Sequence, residues 1–362
     1  MISKIFQEFF VERRKIEEYR RRGKKIIGTM CNTVPEEVIH AFGAVPIRLF
    51  GVNEFKEVYA KFPSWMCSYS RGVMEDALRG FKVDGVVSST TDDTKIHLFS
   101  SYTFYVKPDF SYLIQFPFVK DELSFQFFKD ELERFSLKLA NFLKVDIDEK
   151  KLRDSVKIYN EYRILCSRID SLRSMENPKV SGSEFLSLML ISQQMLKEDF
   201  LQIARDFYRE AERREGREDY KIRVHVSGTD FTDVNFLRNL EEWGLAIVSD
   251  DFCTSAAYYS GLVDDSSIES VAKRYFSICS CTMSAKDSPI DERIEFISRR
   301  IEKSEAEAAI LMKERGCEIC GHQCSWIVRE LNVPVLVLDY EYPISIEQYK
   351  TRVEAFIESF GR

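Results

Sequence analysis

The spacing of apolar and polar positions divides the chain into two stretches of short strands alternating with helices, separated by a long helical stretch. Residues 3–22 carry apolar positions at Ile5, Phe9, Ile16 and Tyr19 among charges, the stripe of an amphipathic helix. A short apolar run then stops at Cys31, and Asn32-Thr33-Val34-Pro35-Glu36-Glu37 reads as a helix start, with a Thr or Asn cap, proline in the first turn and acids favoured by the helix dipole. Cys31 is therefore expected at a strand-to-helix junction, where backbone N–H groups favour a thiolate. Residues 44–50 predict a second strand, Cys67 lies in a loop before a helix over about 71–81, and residues 83–88 predict a third strand followed by the polar run Ser89–Thr94. Helical spacing then holds through 121–216 (Phe125, Phe128, Leu132, Phe135, Leu139, later Leu152, Val156, Tyr159, Tyr162), with breaks near 146–148 and at Asn177-Pro178. From Tyr220 short strands return, in the run 222–226 and at 245–249, 308–312 and 333–338, and Cys253 and Cys317 follow strand ends.

This alternation predicts an α/β protein with two doubly wound parallel-sheet lobes and an intervening helical region, divided at 1–120, 121–216 and 217–362. Ligands of such sheets gather at the carboxyl ends of the strands. Cys31, Cys67 and the loops Ser89–Thr94 and Ser227–Asp230 are expected on that edge; both loops are candidates for substrate contact, with ordinary turn residues as the preferred alternative.

Composition narrows the function. The 362 residues carry 52 Lys and Arg against 59 Asp and Glu, a formal net charge of -7, which argues against nucleic acid as the main partner because phosphate neutralisation needs a basic surface. The basic residues between 12 and 25 read as a solvated helix face. No run approaches the roughly 18 to 20 apolar residues that a membrane-spanning helix needs, and the opening residues lack the apolar core of an export signal. A cytoplasmic protein with no membrane partner is expected, and there its nine cysteines would not be paired as structural disulfides.

Five of those cysteines fall between residues 279 and 324. Cys317, Cys320 and Cys324 stand with His322 in one short segment, a density that points to metal or iron–sulfur ligation; the Cys-x2-Cys-x3-Cys spacing matches neither common ferredoxin run, and a paired zinc site has no second half. Cys279 and Cys281 point the same way if the segment is extended, so they could bind one cluster or serve a structural role. Cys166, within the helical stretch, is expected to be a core residue, and His40 and His225 to be satisfied buried histidines. Neither a Gly-x4-Gly-Lys-Ser/Thr loop, nor a Gly-x-Gly-x2-Gly turn, nor a Gly-x-Ser-x-Gly elbow occurs.

At this point the residues resemble the iron–sulfur subunits of the 2-hydroxyacyl-CoA dehydratases, a family that also contains benzoyl-CoA reductase subunits and double-cubane cluster proteins. The resemblance runs through Cys31-Asn32-Thr33-Val34-Pro35-Glu36-Glu37, Gly43-Ala44-Val45-Pro46-Ile47-Arg48-Leu49, and Cys67-Ser68 with Arg71. In the second lobe it continues at His225-Val226-Ser227-Gly228, Asp250-Asp251-Phe252-Cys253-Thr254, Arg274-Tyr275-Phe276 leading to Cys279-Ser280-Cys281, and at Cys317. It implies a four-iron, four-sulfur cluster on Cys31, Cys67 and Cys317, with one iron open to substrate or water. It also implies an ATP-dependent iron–sulfur activator that donates one low-potential electron, an acyl-CoA substrate whose ketyl radical loses hydroxide, and a related second subunit. No catalytic side chain is assigned. Two further cysteines after Cys317 stand where the dehydratases lead one to expect aromatic and acidic residues. With Cys279, Cys281 and Cys320 as further ligands, and Cys253 and Cys324 behind them, the alternative is a double-cubane cluster in a homodimeric reductase of small substrates. A third alternative is an electron-transfer or cofactor-assembly subunit without its own substrate.

Overall fold

The computed structural model describes residues 2–278 and 289–361; Cys279 and Cys281 lie outside the described residues. Two four-stranded sheets make the two lobes. Strands β1 (Ile26–Thr29), β2 (Val45–Arg48), β3 (Gly85–Ser89) and β4 (Phe110–Ile114) are ordered β2-β1-β3-β4, and β5 (Ile222–Ser227), β6 (Leu245–Asp250), β7 (Ala308–Glu314) and β8 (Val335–Tyr340) are ordered β6-β5-β7-β8. Every pairing is parallel, with Gly28 opposite Ile47 and Val86 and Val226 opposite Asp250 and Ile310. The lobes share one topology, and each has a switch point where the strand order reverses, between β1 and β3 in the first and between β5 and β7 in the second.

Strands β1, β2, β3, β5 and β6 are buried at every position, which is why they read as continuous apolar runs rather than alternations. The edge strand β4 is the one strand that the apolar pattern did not predict. It alternates, with Phe110, Tyr112 and Ile114 buried and Ser111 exposed, over too few residues to stand out between two helices. The helix predicted over 71–81 runs instead over Ser68–Leu78, so it begins directly after Cys67. The N-terminal stripe is broken at Arg13, whose φ of 55° ends one helical segment before Arg14–Arg21 begins.

The helical stretch consists of Glu122–Leu143, Glu149–Arg173, Gly182–Ser192 and Lys197–Glu212. The breaks foreseen at 146–148 and 177–178 are present, with Asp148 and Ser181 as side-chain N-caps, and a further break follows Ser192. Glu149–Arg173 packs against the Glu36–Ala41 helix, Gly182–Ser192 against Val234–Glu242 and β6, and Glu122–Leu143 against Ile268–Phe276, so the stretch touches elements of both lobes. Cys166 is fully buried in this packing. No helix of the described residues is long and apolar enough to cross a membrane.

The two histidines expected to be satisfied differ. His40 bonds Ser155 Oγ at 2.9 Å and Glu198 Oε1 at 3.0 Å. In β5, His225 Nδ1 meets Ser249 Oγ at 2.8 Å, but Nε2 has no hydrogen-bond partner among the described residues and stays 3.8 Å from Asp251 Oδ1. A bulge between Val224 and His225 shifts the register with β6 and brings His225 opposite Ser249. Burial lowers the His225 pKa from 6.5 to about 4. It is neutral when folded and binds a proton below pH 6.5 when unfolded, so the stability it allows above pH 6.5 is lost as the pH falls toward 4, by up to about 3 kcal/mol. Urea unfolding at pH 7 and pH 5 should show the wild type losing about 2 kcal/mol more than His225→Gln over that interval; parallel losses would refute the assignment.

Candidate functional site

Both switch points open onto one cavity. Thr91–Lys95, just beyond β3, line one side of it, while Thr229 and Asp230 beyond β5 and Glu314, Cys317, Glu318 and Ile319 at the end of β7 line the other. Cys67 completes the wall, Phe118 and His322 stand at the rim, and the enclosed space is about 230 Å³. The crevice rule for open parallel sheets thus applies twice to a single space.

Cys31 leaves β1 and is buried behind this wall. Its Sγ lies 3.4 Å from the hydroxyl of Thr91 and receives the Thr33 hydroxyl at 3.1 Å; Thr33 and Ser89 hydroxyls are 2.6 Å apart. The expected cap is not formed: Pro35 occupies the N-cap of Glu36–Ala41 with no side-chain bond, and Thr33 is already committed to Cys31 and Ser89. Asn32–Pro35 separate Cys31 from the helix, so side-chain hydroxyls hold its thiol in place of helical N–H groups.

Cys67 is the N-cap of Ser68–Leu78 and donates to Ser70 Oγ at 3.4 Å. Burial, with the Glu314 carboxyl nearby, pushes its thiol well up. Cys317 is the N-cap of Glu318–Glu330, and Gly316 before it adopts a φ of +77°. A Cβ at Gly316 would lie 2.6 Å from the Trp65 carbonyl oxygen and 3.0 Å from the Cys67 nitrogen, so the Cys317 and Cys67 loops lie backbone against backbone. This approach joins a cysteine of the first lobe to one of the second.

Cys320 lies one turn along from Cys317, and its pKa is lowered by the neighbouring Cys317 thiol, the Arg293 guanidinium and the Thr229 hydroxyl against the opposing effect of burial. Cys253 is buried and donates to Asp230 Oδ1 at 3.2 Å. Cys324 is not among the residues that line the cavity; it packs against the apolar cluster that contains Ile327 and Leu331. Burial raises the Glu314 pKa to about 8, and its Oε1 accepts the Tyr69 N–H at 3.0 Å.

Three charged side chains here were not singled out by the sequence reading: Arg48, Lys95 and Glu314. Asp230 binds Arg48 at 2.6 Å and Lys95 at 2.8 Å, and all three are buried. Lys95 Nζ also lies 3.4 Å from the centre of the Tyr69 ring. The available signal was a charge inside an apolar run, Arg48 in residues 44–50 and Glu314 at the end of 308–314, since fully buried charges are rare without a partner.

Among the described residues no group of three or more His, Cys, Asp and Glu side chains is placed to hold a single metal ion. A cluster in which each iron takes one thiolate spreads its ligands more widely than one ion does. The donor set suits such a group: two free thiols line the cavity and a third stands one hydroxyl behind it, all free of disulfides.

The family model for the D-component of 2-hydroxyglutaryl-CoA dehydratase matches residues 31–360. The chain is 25% identical to a candidate dehydratase subunit, YjiM, of Escherichia coli (strain K12), over 98% of this chain and 97% of that one. It is 23% identical to a benzoyl-CoA reductase subunit of Thauera aromatica over 82% of this chain and 79% of that one, and 22% identical to the (R)-phenyllactyl-CoA dehydratase beta subunit of Clostridium sporogenes over 99% of each. With the match running from Cys31 almost to the last residue, the chain belongs to the 2-hydroxyglutaryl-CoA dehydratase D-component family, a family of dehydratase and reductase enzyme subunits.

Proposed function

We propose that this chain is the iron–sulfur component of a 2-hydroxyacyl-CoA dehydratase-like enzyme, with Cys31, Cys67 and Cys317 holding a four-iron, four-sulfur cluster between the lobes 1–120 and 217–362 and the helical region 121–216 bracing them. The observation that carries this reading is the meeting of two switch-point crevices in one cavity with thiols from both lobes at its wall. When bound, the cluster supplies a low-potential electron and an iron position open to a substrate oxygen.

The protein's own groups define the rest. The cavity opens to solvent where Phe118 and His322 stand, the side from which the reacting end of an acyl thioester would approach the cluster while its coenzyme A part stays outside. Ile319 and Phe118 supply apolar cover against water, while the Thr91 and Thr94 hydroxyls and the Lys95 ammonium can orient a carbonyl or hydroxyl oxygen. With no ATP-binding loop in the sequence, the chain is the electron acceptor of a separate ATP-dependent activator, and a related subunit completes the enzyme in the cytoplasm.

One observation favours a second reading. Cys320 lies one helical turn after Cys317 and its thiol meets the hydroxyl of the cavity-lining Thr229 at 3.6 Å, so it could join Cys279 and Cys281 in a double-cubane cluster of a homodimeric reductase. Iron, acid-labile sulfide and the EPR spectrum of reduced protein purified without oxygen decide the matter. About four irons per chain support the single cluster and about eight the double cubane; zinc alone, or no metal, overturns both.

A further inference from the structure

Arg48 ends β2 with 1% of its surface exposed. One nitrogen, Nη2, reaches Asp230 Oδ1 at 2.6 Å, while Nε and Nη1 have no hydrogen-bond partner among the described residues. Lys95 binds the other oxygen of the same carboxylate at 2.8 Å and lines the cavity. Asp230 receives one more bond, from the Cys253 thiol at 3.2 Å, which brings no charge. Two buried cations therefore share one carboxylate, and a guanidinium keeps two idle donors away from water.

The other acids at the cavity form no ion pair with either cation among the described residues: Asp92 accepts the Lys95 backbone N–H at 2.8 Å and Glu314 the Tyr69 N–H at 3.0 Å, whereas Asp93 and Glu318 stand in solvent at the rim. Buried positive charge without a counter-charge is unfavourable. Arg48 stands opposite Thr29, two residues before Cys31, and shares Asp230 Oδ1 with the Cys253 thiol, so the surplus charge lies on the side of the cavity where Cys31 stands. The polypeptide alone leaves this corner unbalanced, and an anionic ligand would balance it.

We propose that Arg48 and Lys95, bridged by Asp230, form a counter-charge site for the anionic cluster held by Cys31, Cys67 and Cys317, with the idle Arg48 N–H groups offered to its sulfur atoms. This rests on the proposed function and adds residues that tune the cluster without ligating it. A cluster on thiolates is negative and gains charge on reduction, so a buried cation beside it favours the reduced state and raises its midpoint potential.

The test is an EPR-monitored redox titration, with iron and sulfide content, of the full chain purified without oxygen, as wild type and as Arg48→Met, Arg48→Lys, Lys95→Met and Asp230→Asn. Arg48→Met and Lys95→Met should move the midpoint to more negative potential, Asp230→Asn to more positive, and Arg48→Lys should stay near the wild type. Opposite movements from removing opposite charges are not what general damage to the site produces. Failure of Arg48→Met to load iron while Arg48→Lys loads it also supports the proposal, because charge is then what loading needs. The proposal is overturned by unmoved midpoints in loaded Arg48→Met and Lys95→Met, by a shift of Asp230→Asn in the same direction as theirs, or by equal loading failure of Arg48→Met and Arg48→Lys. Wild-type protein without iron would instead overturn the proposed function itself.

Discussion

Cys317→Ala, purified without oxygen, should carry almost no iron or acid-labile sulfide, whereas Cys166→Ala should carry as much as the wild type. Cys317 is a cavity-lining thiol at the start of its helix, and its loop is locked against that of Cys67. On the proposed ligand set, losing one of three thiolates leaves a cluster held by two, and such clusters are shed. Cys166 is fully buried, whereas Cys317 is partly exposed, and it lies in the Glu149–Arg173 helix beside Tyr162 and not among the residues that line the cavity. Removing its sulfur leaves a small cavity and costs about 1 kcal/mol of stability. Equal iron in the two variants would refute the ligand assignment, and comparable circular dichroism spectra would show that both had folded.

Gly316→Ala should destabilise the protein by about 1 to 3 kcal/mol and lower its iron content. Two separate effects act at this position. Its φ of +77° is a conformation that residues with a Cβ rarely adopt, and the new carbon would sit 2.6 Å from the Trp65 oxygen and 3.1 Å from the Met66 carbonyl carbon. Those neighbours are backbone, so relief requires moving the strand of chain that leads into Cys67. Gly80→Ala separates the two effects: Gly80 has a φ of +108° with nothing within 4 Å of the added carbon, so it measures backbone strain alone. Thermal melts and iron assays of both variants should rank Gly316→Ala as the more damaging in each. If Gly80→Ala lost as much iron, the close approach of the two loops would not be what places the thiols.

Seven of the eight strands among the described residues were legible in the sequence because buried parallel strands are continuous apolar runs that end in polar turns. The cysteines after β1, β6 and β7 could be placed for the same reason, since a strand's end can be read from where its apolar run stops. Edge strand β4 was not legible, because five alternating residues between helices carry too little signal. The Cys317, Cys320 and Cys324 cluster shows a further limit. These positions follow one stripe of a helix, but a helix advances about 5.4 Å per turn. The stripe leaves the cavity after one turn: Cys320 meets Thr229 at 3.6 Å, whereas Cys324 packs against the apolar cluster around Ile327. Spacing establishes a shared helix face and leaves open where along that face the site ends.

Local pattern by itself determined the class of fold, the family resemblance and the local density of thiols, because strand and helix periodicity and cysteine density are properties of neighbouring residues. Only the tertiary structure decided which groups share the cavity. Arg48 and Asp230 are 182 residues apart, Lys95 and Asp230 are 135 apart, and Tyr69 and Glu314 are 245 apart. Contacts over such separations depend on how two sheets of the same topology face each other across the helical region. No short window of sequence contains that arrangement, because the partners that satisfy these buried charges are supplied by the other lobe.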